Sequence, residues 1–428
     1  MNYTQNDKIN QIKDLTLVVG IDIAKYKHVA RCIDDRCRDL DEHLEFSNSL
    51  EGFERLIEWI HRNNAQHVKS EVIVGMEPTG HYWFNIAGYL KSNDIQVVLV
   101  NPMHVKRTKE FDDNSPTKND IKDARVIAKL VRDGNYSIPI IPEGVFSELR
   151  VAMDIKSDID NKLNIVKNRV IRWADMYFPE FFQVFKNLNS KTAIITLKEF
   201  PLPKKIVELG ELNILQEWRK EVKQGVGIKK ATLLLEMAKT SIGLNEGLDL
   251  ASWQIKHLID ECEFYIKAIE ELTIKIQKLL EQVPYSENIL AIKGIGVMTV
   301  AGILAETGDL KNYSHPKQII KLAGLNLKEN SSGTHKGKTT ISKRGRAKLR
   351  SVLFKCIMPM VCKNEEFKLL HNNLVNRSKN PLKKMQSLIA LCGKLIKILF
   401  AMATKGVAYD PTKVTEPLIN LQTEQNAA

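Results

Sequence analysis

Four carboxylates stand at three places in the first third of the chain, in a pattern suited to phosphate chemistry. Asp22 interrupts a buried apolar run, Glu77 follows a second run, and Asp120 and Asp123 begin a helical pattern. The last two are three residues apart, which makes them neighbours on one helix face. Four carboxylates cannot share a dry site without cations. Two Mg²⁺ ions, which prefer oxygen ligands, would neutralise them and activate an attacking oxygen on a phosphate.

Each acid also has a structural alternative. Asp22 would end its strand or cap a turn, Glu77 would be a solvated loop acid, and Asp120 would complement the helix dipole. The dipole explains Asp123 less well, because Asp123 shares its stripe with Ile127 and therefore with the face that packs on a sheet. The ordered set of four favours the metal site over four separate structural roles.

Short buried strands and a helix must bring these acids together. Runs of apolar and β-branched residues predict strands at 15–23, 28–33, 44–46, 72–76 and 97–100. Helical spacing predicts helices at 50–62 and 81–91, and another from Asn119 or Asp120 to Val131. Strands followed by alternating strands and helices indicate an α/β domain, and open α/β sheets bind ligands beyond the carboxyl ends of their strands.

Composition bounds the class of protein. The chain has 428 residues, enough for two or three domains, and its hydrophobic content of 43% is ordinary for a globular protein. The net charge of +12 favours a polyanionic partner, with nucleic acid as the first choice. We find no apolar run of membrane-spanning length, no secretory signal and no CxxC pair among the six cysteines. We therefore expect a cytoplasmic protein with reduced thiols and no membrane partner.

The middle of the chain, 146–285, is mainly helical, and its most regular pattern runs from Trp253 to Val283. Apolar residues there alternate spacings of four and three, at Leu258, Cys262, Tyr265, Ile269, Leu272, Ile276, Leu279 and Val283. Such a seam is typical of a helical bundle or a dimeric coiled coil. The alternative is a helical hairpin within the chain, formed with the segment near Leu163.

The C-terminal part carries two features suited to phosphate binding. The turn Gly294-Ile295-Gly296 between two helical patterns resembles a helix-hairpin-helix, whose N–H groups hold a phosphate without reading sequence. A cluster of cations follows, at Lys336, Lys338, Lys343, Arg344, Arg346, Lys348 and Arg350. Each phosphate contact from such a cluster adds to a salt-dependent affinity for nucleic acid. A solvated basic helix face is the alternative for part of the cluster.

Three motifs follow one another in the first third of the chain. They are Gly-Ile-Asp ending at Asp22, Glu-Pro-Thr-Gly from Glu77, and Lys-Asn-Asp-Ile-Lys-Asp-Ala containing Asp120 and Asp123. This order resembles the DEDD motif of the RuvC-like, RNase H-fold domain of bacterial insertion-sequence transposases of the IS110 family. The family commonly has Thr where this chain has Asn119, a change that leaves both acids in place.

A rival class also opens with a Gly-Ile-Asp strand, namely the sugar-kinase and actin-like ATPases. Those proteins need a Gly/Thr-rich phosphate turn directly after the strand. This chain has Ala-Lys-Tyr-Lys there and no glycine before Gly52, which excludes that class.

The segment after the predicted helix-hairpin-helix resembles the C-terminal domain of the same transposases. There, a Ser-Gly loop followed by Ile-Ser-Lys-Arg-Gly carries a serine nucleophile, and Ser332 fits that position best. Ser331 is the runner-up, and Ser342 is expected to cap the next helix. A serine needs activation, and His335 is the one adjacent base in this loop.

The resemblance implies a DNA recombinase. Ser332 would attack a DNA phosphate to give a phosphoserine and a free 3′-hydroxyl, beside Mg²⁺ held by the four acids. The site would be composite across a subunit interface in a dimer or tetramer, and a structured bridge RNA would select the element ends and target DNA by base pairing. The protein would be cytoplasmic and associated with the nucleoid when bound to DNA.

Two rival functions remain at this stage. One is a Mg²⁺-dependent, structure-specific RuvC-like endonuclease without a covalent intermediate. The other is a non-catalytic nucleic-acid-binding protein whose acids are structural.

The predicted fold is an α/β domain followed by all-α regions. We expect a disordered N-terminus at 1–14, an RNase H-like (RuvC-like) domain at 15–145, a helical and coiled-coil region at 146–285, a helical C-terminal transposase domain with the serine loop at 286–405, and a flexible tail at 406–428.

Overall fold

The computed structural model describes residues 5–112, 119–139, 141–188, 190–222, 227–328, 331–332, 335–337 and 339–416. The chain divides into two compact units, Met1–Ile141 and Pro142–Ala428. The second unit contains both regions that the sequence analysis separates at residue 285.

The first unit is a mixed sheet with helices on both faces. Its elements are α1 (Gln5–Asn10), β1 (Thr16–Asp22), β2 (Lys27–Ile33), β3 (Leu44–Ser47), α2 (Leu50–Gln66), β4 (Glu71–Met76), α3 (Trp83–Ser92), β5 (Gln96–Val100), α4 (Pro102–Asp112), α5 (Asp120–Arg132) and β6 (Tyr136–Ser137). The strand order is β3-β2-β1-β4-β5-β6. Strands β1, β2 and β3 pair antiparallel, β1, β4 and β5 pair parallel, and β6 is an antiparallel edge. The predicted α/β architecture is confirmed.

Alternate residues of β1 enter two separate cores, one on each face of the sheet. Leu17, Val19 and Ile21 pack with residues of α2 and α3. Val18 packs on the other face, in a core that includes Val105 of α4 and residues of α5. Burial on both faces is why the strand is a continuous apolar run in the sequence.

Two glycines bring α5 close to the sheet. Gly20 of β1 lies beside Gly75 of β4 in the parallel register. A Cβ atom added at Gly20 would lie less than 3.0 Å from the Ala124 carbonyl oxygen, and one at Gly75 would lie that close to the Val131 side chain. The helix therefore rests directly on the backbone of the two central strands.

The N-terminal segment differs from the expected disorder where it is described. Residues Gln5–Asn10 form α1, and the Gln5 side-chain amide donates to the Asp133 carbonyl oxygen over 3.3 Å. Ile12 packs against the core beneath α5. This contact holds a segment whose polar composition alone predicts no structure.

The second unit is mainly helical. Its helices are α6 (Val145–Tyr177), α7 (Phe181–Val184), α8 (Lys191–Glu199), α9 (Pro203–Glu221), α10 (Ile228–Lys239), α11 (Leu248–Glu281), α12 (Ser286–Leu290), α13 (Val297–Thr307), α14 (Pro316–Leu322), α15 (Ala347–Lys363), α16 (Glu365–Asn376) and α17 (Lys384–Lys405). Four two-residue strands lie between α14 and α15, namely β7 (Leu327–Lys328), β8 (Ser331–Ser332), β9 (His335–Lys336) and β10 (Thr340–Ile341).

The long helix α11 packs against α6 within the chain. Leu258, Cys262 and neighbouring residues of α11 share a core with Leu163 and Trp173 of α6. The Trp173 indole N–H also donates to the Ala251 carbonyl oxygen over 2.8 Å. The helical hairpin, which the sequence analysis left open as the alternative, thus accounts for much of the predicted seam.

Helix α17 is long and apolar enough, by length and composition alone, to cross a membrane. The expectation of no apolar run of membrane-spanning length is therefore wrong for this segment. Its buried face includes Leu391, Leu395 and Leu399, and it packs against α14, α15 and α16. These contacts are those of a core helix.

In the expected flexible tail, residues 406–416 are described, and Val414 is buried while the Tyr409 hydroxyl bonds to Glu366.

Candidate active site

Asp22 and Glu77 lie next to each other at the carboxyl ends of adjacent parallel strands. The last registered pair between β1 and β4 is Ile21 with Met76. Asp22 and Glu77 are the residues that follow on each strand. The parallel pairing thus brings together two acids that are 55 residues apart in the chain.

Asp120 and Asp123 occupy the first turn of α5. The helix begins where the sequence predicts, because the Asn119 side chain caps it by accepting a hydrogen bond from the Ile121 N–H over 3.0 Å. Asn is among the best N-cap residues, so the replacement of the family's Thr preserves the start of the helix. Asp120 is exposed and Asp123 is partly buried.

The four carboxylates, which we call the acidic site, act on one another electrostatically. Burial, together with the charges of Asp123 and Asp120, raises the pKa of Asp22 to about 6, while Lys109 opposes the shift and Glu77 adds to it. Burial also raises the pKa of Glu77, with Lys109 lowering it and Asp123 raising it. Burial is thus the largest cause of both shifts, and the neighbouring carboxylates add to it, so the ionised forms of Asp22 and Glu77 are disfavoured.

Lys109 of α4 is a member of this site that the sequence analysis missed. Its ammonium group forms an ion pair with the Asp123 carboxylate. The sequence does contain a signal for this helix. Pro102, a residue favoured at the first position of a helix, follows a buried strand, and Val105 and Lys109 are four residues apart, which places them on one helix face. The sequence analysis assigned no element there.

The donor set suits a divalent cation, but the side chains are not gathered into a coordination shell. Among the described residues, no three His, Cys, Asp or Glu side chains lie close enough together to hold a metal ion. The donors are carboxylate oxygens, which Mg²⁺ prefers. A bound cation would favour the ionised forms of Asp22 and Glu77, which burial and the neighbouring carboxylates disfavour, so the chemistry of the donors fits such a group.

Ser332 lies in the second unit, in a segment with two short antiparallel strand pairs, β7 with β10 and β8 with β9, which we together call the serine ribbon. The pairing of β7 with β10 forms its base, and that of β8 with β9 lies further along. Ser332 is registered with His335, and Ser331 with Lys336. The base that is nearest to Ser332 in sequence is thus its cross-strand partner in the backbone.

The base of the ribbon is tied to the end of α14 by main-chain hydrogen bonds. The Ser342 N–H donates to the Asn326 carbonyl oxygen over 2.7 Å, and the Lys343 N–H donates to that of Gly324 over 3.0 Å. The Ser342 hydroxyl also donates to the Gly324 carbonyl oxygen over 3.3 Å. The expectation that Ser342 caps the next helix is wrong, because α15 begins after Arg346 and the hydroxyl serves this turn instead.

The predicted cation cluster divides into exposed and internally bonded members. Lys343 and Arg344 are exposed. Arg346 donates to the Glu306 carbonyl oxygen, and Arg350 to that of Ala323 over 2.9 Å. The three remaining members of the cluster are Lys336, Lys338 and Lys348.

Lys348 is exposed and pairs with Asp154 over 2.6 Å. Lys336 is placed only by its backbone register, and Lys338 lies outside the described residues. The exposed cations beside the ribbon are therefore fewer than the sequence pattern suggests.

The predicted Gly-x-Gly turn joins α12 to α13. Gly294 has a φ of 100°, a left-handed conformation that favours glycine, and it packs against Met360. Gly296 is the N-cap of α13 and is exposed. The turn leaves the start of α13 open to solvent at Gly296.

Two family models match this chain. A model for DEDD transposases of IS110 type matches residues 19–179, which include all four acids of the acidic site. A model for the transposase IS116/IS110/IS902 family matches residues 286–372, which include the serine ribbon. Together the matches cover more than half of the chain and occur in the order of the two motif sets.

Curated relatives are similar over much of their length. The pilin gene-inverting protein of Moraxella lacunata is 24% identical over 397 residues, 92% of this chain and 97% of the relative. An uncharacterized 42 kDa protein of insertion element IS900 from Mycobacterium paratuberculosis is 24% identical over 70% of this chain and 74% of its own length. The mini-circle putative transposase for IS117 of Streptomyces coelicolor is 22% identical over 72% of this chain and 78% of the relative.

Proposed function

This chain belongs to the IS110 family of insertion-sequence transposases, and we propose that it cuts and joins DNA through Ser332 with the help of a divalent cation at the acidic site. The observation that carries the proposal is that Asp22, at the end of β1, is partly buried and feels the charges of Asp123, Asp120 and Glu77, which stand at the start of α5 and at the end of β4. A relative named for inverting a pilin gene supports DNA as the substrate.

The four acids would hold Mg²⁺. A bound Mg²⁺ would polarise a phosphate oxygen and offset the charge that develops on it. The acids sit at the carboxyl ends of two parallel strands and at the start of α5, on a sheet of three antiparallel strands followed by parallel ones. That arrangement supports the RNase H-like, RuvC-like assignment of the first unit.

Ser332 would be the nucleophile. Its Oγ forms a bond to a DNA phosphorus as the bond from that phosphorus to the 3′ oxygen breaks, and the serine proton ends on the released 3′-hydroxyl. The phosphoserine bond replaces the broken phosphodiester bond, so another 3′-hydroxyl can later attack the same phosphorus, release the serine and rejoin the DNA. His335, its registered partner, is the candidate for receiving the serine proton first, since partners across a strand pair have neighbouring Cβ atoms.

The protein would contact the DNA backbone without reading its sequence. Lys343 and Arg344 are exposed beside the serine ribbon, and Gly296 leaves the start of α13 accessible to a phosphate. Choice of the element ends and the target would then fall to a structured bridge RNA, as the family resemblance implies. The net charge of +12 suits both nucleic acids.

The working form would be a dimer or tetramer. Leu250, Trp253 and Phe264 of α11 are exposed by 77%, 61% and 68%. Helical spacing puts Trp253 and Phe264 on the face opposite Leu258 and Cys262, which pack against α6, and Leu250 beside that face. One face of α11 therefore serves the hairpin, and the other offers apolar side chains to a second copy.

A denaturing-gel assay tests the covalent step. The full-length protein, RNA transcribed from the sequence flanking its gene, Mg²⁺ and labelled element-end DNA are mixed, and protein-linked DNA is measured. We expect a shifted, protease-sensitive band that Ser332→Ala and Asp22→Asn each abolish. Ser331→Ala, which removes the neighbouring hydroxyl, is the matched control and should retain the band.

The same gel separates the rival functions. Strand cleavage without an adduct, unaffected by Ser332→Ala, would establish the endonuclease. Nucleic-acid binding with neither cleavage nor adduct would establish the non-catalytic protein. Loss of the band in Ser331→Ala but not in Ser332→Ala would move the nucleophile by one residue.

A further inference from the structure

Helix α4 directs one lysine into the acidic site. Val105 is buried in the core beneath α5, and Lys109 follows four residues later on the same face of α4. The helix is thereby anchored with Lys109 facing the first turn of α5, where its ammonium group pairs with Asp123. Lys106, one helical turn before Lys109, is exposed.

The charge of Lys109 reaches three of the four acids. Besides its pair with Asp123, it acts electrostatically on Asp22 and Glu77, in both cases favouring the ionised carboxylate. The Lys109 and Asp123 side chains are only 28% and 17% exposed, so solvent and salt screen this pair less than a surface pair. One ammonium group thus offsets part of the charge of the whole site.

We propose that Lys109 is the internal counter-ion of the acidic site and competes with the divalent cation for Asp123. The inference rests on the proposed cation site. A cation that takes Asp123 as a ligand brings a second positive charge close to the Lys109 ammonium group, and the two charges repel each other. Lys109 therefore stabilises the cation-free protein while lowering its apparent affinity for the cation.

Titration calorimetry of the chelator-treated, full-length protein with Mg²⁺ alone tests the competition. Lys109→Met removes the charge and keeps much of the side-chain length, and it should tighten Mg²⁺ binding by about tenfold. Lys106→Met removes an exposed lysine of the same helix, which is not among the charges that shift the pKa of Asp22 or Glu77, and should leave the affinity unchanged. Equal or weaker binding by the Lys109 variant would overturn the proposal.

Thermal unfolding in EDTA gives a second readout that requires no cation. Lys109→Met should melt at a lower temperature than Lys106→Met, because the partly buried Asp123 carboxylate loses its ion-pair partner. Added Mg²⁺ should then raise its melting temperature by more than that of the unsubstituted protein. A Lys109 variant that folds only with Mg²⁺ supports the proposal, and one that remains unfolded in saturating Mg²⁺ contradicts it.

Asp22→Asn tests the proposed cation site separately from the proposed role of Lys109. Mg²⁺ binding that Asp22→Asn leaves unchanged would refute the cation site, and the competition with it. Binding that depends on Asp22 but is not tightened by Lys109→Met would refute the counter-ion role alone. Lys109→Arg, which keeps the charge, should bind Mg²⁺ as the unsubstituted protein does.

Discussion

The acidic site and the serine ribbon are built from different kinds of contact. The acids stand on two strands buried on both faces and on a helix that rests on Gly20 and Gly75. The ribbon consists of two-residue strand pairs, and Leu327 and Lys328 at its base are exposed. Side-chain packing positions the first, and main-chain hydrogen bonds position the second.

The difference matches what each region would have to do. A cation site needs several side chains held in fixed relation, which strand ends and helix starts provide more accurately than loops. A nucleophile that forms and then breaks a bond to DNA needs only one placed side chain and access to a large substrate. Substitutions in the two regions should therefore fail in different ways.

Glu77→Gln should show the largest effect among the following changes. It removes one carboxylate from the acidic site at nearly constant shape, and we expect strand cleavage to fall by about a hundredfold or more. The measurement is the rate of Mg²⁺-dependent cleavage of labelled element-end DNA, with calorimetric Mg²⁺ binding beside it.

Glu71→Gln is the matched control, since Glu71 begins the same strand at its opposite end and accepts a hydrogen bond from Thr16. That exchange should leave the cleavage rate unchanged. Equal losses from both exchanges would show that β4 needs acids for stability, and would remove Glu77 from the proposed cation site.

Gly20→Ala tests whether packing positions the acids. The new Cβ would meet the Ala124 carbonyl oxygen, which belongs to helix backbone and cannot move alone. We expect a loss of about 1–3 kcal/mol in the free energy of unfolding, with weaker Mg²⁺ binding in the protein that stays folded. Urea unfolding and calorimetry measure the two effects.

Gly88→Ala in α3 is its control, because a Cβ there meets nothing described within 4 Å. Ala is favoured over Gly in a helix by about 0.5–1 kcal/mol, so this variant should be slightly more stable. A Gly20 variant with unchanged stability and Mg²⁺ binding would mean that α5 tolerates a wider spacing from β1.

The same contrast explains what the sequence could predict. Buried apolar runs and the helix start at Asn119 are local patterns, so the strands and the α/β sheet could be predicted from them. The pairing of Lys109 with Asp123 depends on how α4 packs, and no spacing rule gives it. Likewise, a heptad pattern in α11 does not say whether α6 or a second chain fills the seam.

Side-chain partners were the least accessible to sequence reasoning. Arg346 and Arg350 look like members of a phosphate-binding cluster, yet both donate to main-chain carbonyl oxygens. The register that pairs Ser332 with His335 likewise follows from no apolar spacing in the sequence. Whether a basic side chain bonds to an internal acceptor or stays in solvent depends on the packing around it, which composition does not reveal.

Gly345→Ala should separate the two regions most cleanly. Its Cβ would lie less than 3.0 Å from the Leu322 carbonyl oxygen, at the turn that ties the ribbon to α14. We expect the yield of protein-linked DNA to fall by about tenfold, an effect on the order of 1 kcal/mol, while Mg²⁺ binding by the acidic site is unchanged. The adduct gel and calorimetry measure both in the same preparations.

Gly393→Ala, inside α17 with only an ordinary contact to Ile320, serves as the control and should change neither readout. Weakened Mg²⁺ binding in the Gly345 variant would contradict the separation. It would mean that the ribbon and the acids depend on a common structural element.

Arg344→Gln should have the smallest effect and tests the backbone-contact role of the ribbon's flank. Arg344 is exposed, so its loss should weaken DNA binding a few-fold and reduce the slope of log affinity against log salt by about one.

Arg346→Gln should instead lower the free energy of unfolding by about 1–3 kcal/mol, because it leaves the half-buried Glu306 carbonyl oxygen without its donor. Salt-dependent DNA binding and urea unfolding, measured on both variants, distinguish a side chain that contacts phosphate from one that stabilises the fold. If Arg346→Gln changes the salt slope and Arg344→Gln does not, the internal hydrogen bond of Arg346 is exchanged for a phosphate when DNA binds.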